Sequence, residues 1–343
     1  MDFKLSVLLG KKKSTKNGID FYDCPFCNTQ SSFAVKEEKF TCFNCFASGT
    51  GIVDFLVRQK GMSHKRAARQ ISTPNTKELI ELNLAAAEFF QSHLSKSKYF
   101  TSRGIDEETI EKFSLGYSPS NFSVAAYLEK KKGFSKTLIE ESGLAKYYSE
   151  RIYEPMSGRA VFPIKDENGI ITGFGGRITS VKKADNTPKY INTPENDLFK
   201  KRDLLYGLFD VNPGEKTLYL VEGYMDVISL HQAGIRNSAA ALGTATGEHH
   251  CSLMKSLGIE NVILCLDGDK AGTSAALRTI PVLNNHFNVS VIHLEGAKDP
   301  DEMIKKYGVK GFLEQKPVPA EFFLVQNAED PVAEAVSVLF KGP

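Results

Sequence analysis

Three acidic stations stand just beyond apolar, β-branched runs in the second half of this 343-residue chain. Glu222 follows "TLYLV" and precedes Gly223, with Asp226 one turn further on. Asp267 and Asp269 follow "VILCL", and Asp299 and Asp301, in "KDPDE", follow "VSVIHLEGA". One such pair reads as an ordinary turn, because Asp and Gly are common turn residues. Three at equivalent positions read as carboxylates converging on a hard cation, since the carboxyl ends of neighbouring parallel strands form the ligand crevice of an open sheet. Mg2+ takes carboxylate and water oxygens together with substrate phosphates. Two such ions about 3.5–4 Å apart activate an attacking hydroxyl and stabilise a leaving pyrophosphate. Clustered carboxylates repel one another unless cations neutralise them. Gly223, Gly268 and Gly272 supply tight turns and close backbone approach. No Ser-His-Asp or Cys-His arrangement competes as strongly. Cys251 and Cys265 read as core thiols, and His249 and His250 as solvated or substrate-facing side chains.

A second constellation lies near the amino terminus. Cys24 and Cys27 form one C-x-x-C and Cys42 and Cys45 another, with 14 residues between. This spacing suits tetrahedral thiolate ligation of one structural zinc, each pair on a tight turn and a β-hairpin between them. Two disulfides or a redox C-x-x-C are the other readings; both fit less well with a chain of reducing-compartment character. Phe26, Phe33, Phe40, Phe43 and Phe46 interleave with the cysteines, and Lys36, Lys39, Arg58, Lys60, Lys65, Arg66 and Arg69 lie nearby. Each ring either fills the small core or stacks on bases of a single strand.

The elements that must hold these groups follow from pattern. The length suggests two or three domains. Residues 1–77 carry 13 Lys and Arg against 6 Asp and Glu, leaving 30 against 35 in the remainder. Four thiolates on one zinc temper that basic module without reversing its sign, and it suggests a polyanion partner. "STPNTKE", residues 72–78, is a linker or a helix boundary. The spacing predicts a helix over residues 77–94 and a small helical subdomain to about residue 146. "RAVFPIKDENGIITGFGGRI" predicts a hairpin turning at Asn168 and Gly169, both tolerant of positive φ. From Thr217 apolar strands alternate with helical patterns, the mark of βαβ units and a mostly parallel sheet. No signal peptide opens the chain and no run of about 18 apolar residues could span a bilayer.

"LVEGYMDVISL", "CLDGDKAG" and "KDPDEMI" resemble the Toprim domain shared by primases, topoisomerases and some nucleases. "RAVFPIKDENGIITGFGGRI", "TPKYINTPE", "FKKRDLLYGL" and "AALGTATGEHH" look like the catalytic core of bacterial DnaG-type primases in particular, and "CPFC…TCFNCFASGTGIVDFL" is similar to the zinc-binding domain before that core. The likeness runs from about residue 20 to 324. It implies an α+β and α/β multidomain chain: a zinc ribbon over 1–71, the amino-terminal part of the core over 77–215, a Toprim subdomain over 216–325 and a segment over 326–343. It implies a nucleotidyltransferase making short RNA primers on single-stranded DNA in the cytoplasm, from ribonucleoside triphosphates, with structural Zn2+ and catalytic Mg2+ or Mn2+, two or more. The alternatives are a Toprim nuclease and a non-catalytic zinc and Toprim DNA-binding protein. By the resemblance, Glu222, Asp267, Asp269, Asp299 and Asp301 hold the catalytic metals, Glu222 doubles as a general base, and Asp226 supports them. Arg159, Arg177, Lys189, Tyr190, Asn192 and Lys201 line the template and nucleotide path, with Gly243 and Thr244 in a nearby loop. Two departures stand out: Cys27 replaces the family's usual histidine ligand, and the chain ends at Pro343 without the domain that docks on the replicative helicase. Either the chain is cut short, or it is a compact version, as from a phage or mobile element. The helicase is thus left open as a partner.

Overall fold

The computed structural model describes residues 9, 12–37, 39–50, 54–55, 74–149, 151–179, 187–212, 214–243 and 245–328. Arg58, Lys60, Lys65, Arg66, Arg69, Thr244 and most of the 326–343 segment lie outside the described residues. The chain divides into two compact units, Met1–Ser97 with Leu115–Phe199, and Lys98–Ser114 with Lys200–Pro343.

The first unit opens with an antiparallel ribbon of β1 (Ser14–Lys16), β2 (Ile19–Tyr22), β3 (Phe33–Lys36), β4 (Lys39–Cys42) and β5 (Ser48–Thr50), paired in that order. Asn17 and Gly18 both take positive φ between β1 and β2, the geometry a two-residue hairpin turn requires. Phe33, Phe40 and Phe55 are fully buried with ring centroids 5.4–6.2 Å apart, and Phe26 packs on all three. Ile80 and Ile170 extend that core. The aromatic set therefore splits: Phe26, Phe33 and Phe40 turn inward, while Phe43 and Phe46 are 62% and 81% exposed.

The expected helix is present as Pro74–Ser92, so the polar break is a helix boundary. Pro74 occupies its first turn, where a missing N–H costs no hydrogen bond. Leu79, Leu82, Ala86 and Phe90 bury its inner face against a sheet ordered β11–β10–β9–β6. Those strands are β6 (Gly116–Ser118), β9 (Arg159–Lys165), β10 (Ile171–Ile178) and β11 (Tyr190–Asn192); between β6 and β9 lies a small separate hairpin of β7 (Lys146–Tyr147) and β8 (Ile152–Tyr153). A Cβ on Gly116 would meet the Phe90 backbone at 2.6 Å, so only glycine lets β6 lie this close to the helix. The β9–β10 turn falls at Asn168–Gly169 as expected, but only Gly169 takes positive φ. The buried Asp166 carboxylate organises it instead, accepting the Asn168 and Ile170 N–H groups at 2.9 Å each.

The second unit holds a six-stranded sheet ordered β12–β14–β13–β15–β16–β17. Its strands are β12 (Leu205–Tyr206), β13 (Thr217–Val221), β14 (Ser238–Ala241), β15 (Asn261–Leu264), β16 (Asn288–Val291) and β17 (Val318–Pro319). The central four are parallel and the two-residue edges antiparallel. Helices Tyr224–Gln232, Glu248–Ser256, Lys270–Asn284 and Pro300–Leu313 alternate with the strands, which is the mostly parallel architecture the pattern predicts. Leu218, Leu220, Val262, Leu264, Val289 and Ile280 fill its core. Register matters most here: Leu220 lies opposite Leu264, and Leu264 opposite Val291. The three strands thus end level, and the acidic stations emerge at one edge. Among the described residues no helix is long and apolar enough to cross a membrane.

Candidate functional site

In the ribbon, Cys24 and Cys27 flank the turn between β2 and β3, while Cys42 ends β4 and Cys45 precedes β5. Their four sulfurs lie within 4.8 Å of one another, with Cys24–Cys45 and Cys27–Cys42 at 3.8 Å. A tetrahedron built on Zn–S bonds of about 2.3 Å has edges of about 3.8 Å, so the donor set fits zinc without rearrangement. Asn28 and Phe46, each just after the second cysteine of a pair, both take positive φ and turn the backbone around the sulfurs. The N–H groups of Phe26, Asn44 and Cys45 lie 3.4 Å from the Cys24 and Cys42 sulfurs. Burial pushes the Cys24 thiol up to about 12, whereas hydrogen bonding with Thr29 and Asn44 pulls Cys27 down to about 5. A bound cation levels such a mismatch, because it binds the thiolate of each. Cys27, in the place of the usual histidine, completes the four-thiolate shell.

In the second unit, Glu222 leaves the end of β13 and its Oε1 accepts the Asp267 N–H at 3.0 Å. The Gly268 N–H donates to the Lys298 carbonyl at 2.9 Å, so the three stations are tied in series. Asp269 caps helix Lys270–Asn284 through the Gly272 N–H at 2.9 Å, and Asp299 caps helix Pro300–Leu313 through the Glu302 N–H at 2.7 Å. Asp226, in the first turn of helix Tyr224–Gln232, is buried and accepts the Gly223 N–H at 3.0 Å. A Cβ on Gly272 would stand 2.0 Å from the Asp267 carbonyl oxygen. Gly272→Ala should therefore displace the Asp267–Asp269 turn and destabilise the fold by about 1–3 kcal/mol, the usual cost of overpacking. Chemical denaturation reads it, and a stability unchanged from the parent would contradict this packing.

The carboxylates act on one another. Burial, then Glu222, Asp299 and Asp269, push Asp267 up to about 6. Burial, then Asp299 and Asp267, push Asp226 up to about 8. This mutual repulsion is what a divalent cation relieves. Among the described residues the four cysteines form the one group of three or more metal-ligating side chains close enough to hold an ion, so the carboxylates are less closely drawn together than the sulfurs. Mg2+ tolerates that, since it keeps waters and takes one or two carboxylates plus substrate phosphates.

The raised Asp226 has a sign that can be checked. Its folded pKa exceeds the unfolded value, so the native state binds more protons and stability falls as pH rises toward about 8. His231 acts oppositely and lower: burial brings it down to about 4, so its contribution is complete above the unfolded histidine range near 6.5. With zinc bound, so that the thiolates do not titrate, and without Mg2+, Asp226 should make thermal stability fall between pH 6.5 and 8, together with Asp166 up to about 7, and Asp226→Asn should make that fall shallower. Calorimetry across that window decides it, and an unaltered slope would count against the assignment.

Asp301 differs from the other stations. It is buried, and its carboxylate accepts from Arg103, Lys305 and Ser229. Burial alone would raise it, but the hydrogen bonds from Lys305 and Ser229 and the Arg103 charge outweigh that and hold it below the carboxylate range. Sequence pattern grouped it with Asp299; the structure sets it in an ion network. Lys305, four residues on in a helix, was a legible pairing. Arg103 carried no signal, because its partner is 198 positions away.

The residues expected on the template path are distributed over both units. Tyr190 on edge strand β11 is 37% exposed, with the Arg177 guanidinium 5.8 Å and the Lys189 ammonium 5.9 Å from its ring centre. Asn192, on the same strand, pairs with Gly175. Arg159 is buried and donates to the carbonyls of Pro155, Gly176, Pro188 and Lys189 at 3.1–3.3 Å, bracing the chain that enters β11. In the second unit, Gly243 takes positive φ just after β14. The Lys201 carbonyl lies 3.3 Å from His250 Nε2. His250 Nδ1 accepts the Gly247 N–H, so the ring pins a helix start rather than facing substrate. Cys251 and Cys265 are core thiols, as expected.

Two family models match the chain: the DNA primase catalytic core, N-terminal domain, over residues 86–212, and a Toprim-like model over residues 219–304. A DNA primase of Clostridium acetobutylicum is 34% identical over 339 residues, covering 90% of this chain and 56% of the relative. The chain thus spans little more than half the length of that curated relative. The crystal structure of the zinc-binding and RNA polymerase domains of Aquifex aeolicus primase superposes with a TM-score of 0.67 at 26% identity, covering 96% of this chain and 92% of that one. A DnaG primase catalytic domain solved bound to single-stranded DNA is 32% identical, with a TM-score of 0.64 and coverage of 74% and 82%.

Proposed function

The chain belongs to the family of bacterial DnaG-type DNA primases, and from that premise we propose that it is a DNA-directed RNA polymerase making short RNA primers on single-stranded DNA. The observation that carries this reading is the level exit of three adjacent parallel strands into the linked acidic stations. In the reaction a ribonucleotide 3′-hydroxyl oxygen bonds to the α-phosphorus of an incoming triphosphate. The bond to the β-phosphate oxygen breaks, pyrophosphate leaves, and the hydroxyl proton passes to a base, a role for which exposed Glu222 is the proposed residue. Mg2+ or Mn2+ held by Glu222, Asp267, Asp269 and Asp299 would supply activation of the hydroxyl and neutralisation of the pyrophosphate. Asp226 supports that set through the Gly223 turn.

Substrate handling falls to the other residues. Tyr190, flanked by Arg177 and Lys189, offers a ring for stacking and cations for phosphate. Asn192, Lys201, Gly243 and Thr244 are the further residues assigned to template and nucleotide binding by the family resemblance. Arg159, spent on four backbone carbonyls, holds that strand in place. Exposed Phe43 and Phe46 on the zinc ribbon suit bases of the template strand. The proposed division is a ribbon over 1–71, the first part of the core over 77–215, the Toprim part over 216–325 and a closing segment over 326–343. Ribonucleoside triphosphates, the growing primer and a replicative helicase are the further proposed partners, and the cytoplasm the proposed location. The test is incubation with single-stranded DNA, four ribonucleotides and Mg2+. Short RNA supports the reading, whereas shortened DNA without RNA would replace it by a nuclease.

A further inference from the structure

Asp301 is 3% exposed, two residues beyond a cation-facing carboxylate, and already neutralised. Its Oδ2 takes Arg103 Nη2 and, at 2.7 Å, Lys305 Nζ; its Oδ1 takes the Ser229 hydroxyl. Its own N–H donates to Asp226 Oδ1 at 3.3 Å, and Asp226 Oδ2 accepts the Gly223 N–H beside Glu222. The side chain that starts this relay comes from far away in sequence. Arg103 follows the short helix Tyr99–Ser102, and the residues after it are clamped to helix Tyr224–Gln232. Gln232 Nε2 donates to the Gly104 carbonyl at 2.9 Å, and Gln232 Oε1 accepts the Asp106 N–H at 2.8 Å. That helix begins at the first acidic station.

We propose that Arg103 is a positioning residue for the acidic metal centre, holding Asp301, together with Lys305, as a neutralised strut that orients Asp226 and the Glu222 turn instead of ligating an ion. Three donors on two oxygens leave Asp301 poorly placed to share a cation, and release would cost a buried charge its partners. The strut also settles a sign. A cation acting on a neighbouring Mg2+ site through charge alone weakens metal binding, so removing it would tighten binding. A cation acting through position does the reverse.

The inference rests on the primase reading for its activity arm alone, so metal binding is measured directly. Mn2+ is titrated calorimetrically into the full chain and into Arg103→Met, Arg103→Lys, Lys305→Met and Ser229→Ala. Arg103→Met should bind Mn2+ about tenfold more weakly, a change of ~1.4 kcal/mol. Arg103→Lys, which keeps one charged donor, should stay within about threefold of the parent. Ser229→Ala removes a holder of Oδ1 without changing charge and should weaken binding in the same direction, which preserves the test if Arg103→Met does not fold. In primer synthesis, Arg103→Met should raise the Mg2+ needed for half-maximal rate by a similar factor, with template affinity unchanged and the rate largely restored at saturating Mg2+. Unchanged or tighter Mn2+ binding in folded Arg103→Met, or a parent chain that binds no Mn2+, would overturn the proposal. A parent that binds Mn2+ but makes no RNA would remove the primase reading and leave the strut to stand or fall on the calorimetry.

Discussion

Asp267→Asn and Asp269→Asn should each lower primer synthesis by about 10³-fold or more, ~4 kcal/mol of transition-state stabilisation, in a protein that still folds and still carries zinc. Both carboxylates follow β15 in a segment tied to Glu222 through the Asp267 N–H and to the Asp299 segment through the Gly268 N–H, and there an uncharged amide would hold a divalent cation poorly. The isosteres leave local structure intact. Asparagine caps a helix about as well as aspartate, so Asp269→Asn keeps the Gly272 N–H satisfied. Asp267→Asn removes a carboxyl that burial and three like charges have already pushed up to about 6, so the metal-free variant should be at least as stable as the parent. Lost activity with retained or increased stability separates a metal-holding role from a structural one. Parental rates in either variant would contradict the site.

Zinc removal should have the next largest effect, and a different one. Among the described residues the ribbon's core is a small cluster of phenylalanines with Tyr22 and Val35 that borrows Ile80 and Ile170, and modules this small commonly lean on a metal for stability. Structural zinc sites contribute on the order of 10–16 kcal/mol of apparent binding free energy, which here is folding free energy. Metal analysis should find about one zinc per chain. Cys24→Ser combined with Cys45→Ser should abolish it and leave residues 1–71 open to protease. A zinc-free protein whose ribbon stays protected would contradict the four-thiolate assignment.

Legibility in the sequence tracked how local the physics is. The ribbon announced itself because four sulfurs on two short turns define the site almost without reference to the rest of the fold. The parallel sheet is readable because β13, β15 and β16 carry regularly spaced buried apolar residues, each strand followed by a helical pattern. The strands β12 and β17 were not, since two residues carry no periodicity and pairing alone makes them strands. At Asn168–Gly169 the turn was legible but its cause was not, because the organising group is the Asp166 carboxylate. Most of the acidic centre could be found by counting residues past each strand. Arg103 could not, because its partner is brought near only by the fold of segment 98–114 onto helix Tyr224–Gln232. Arg159 illustrates the converse: arginine in a nucleic-acid enzyme suggests phosphate, while the fold gives its guanidinium four carbonyls to hold.

The proposed activity requires the acidic edge of the six-stranded sheet to join ribonucleotides in an order set by a DNA strand. The most direct measurement is the sequence of RNA made on two single-stranded templates of different sequence, with four ribonucleotides and Mg2+. Short RNAs complementary to each template should appear with the parent chain and be absent with Asp267→Asn. RNA of a sequence indifferent to the template, or equal product from Asp267→Asn, would contradict it.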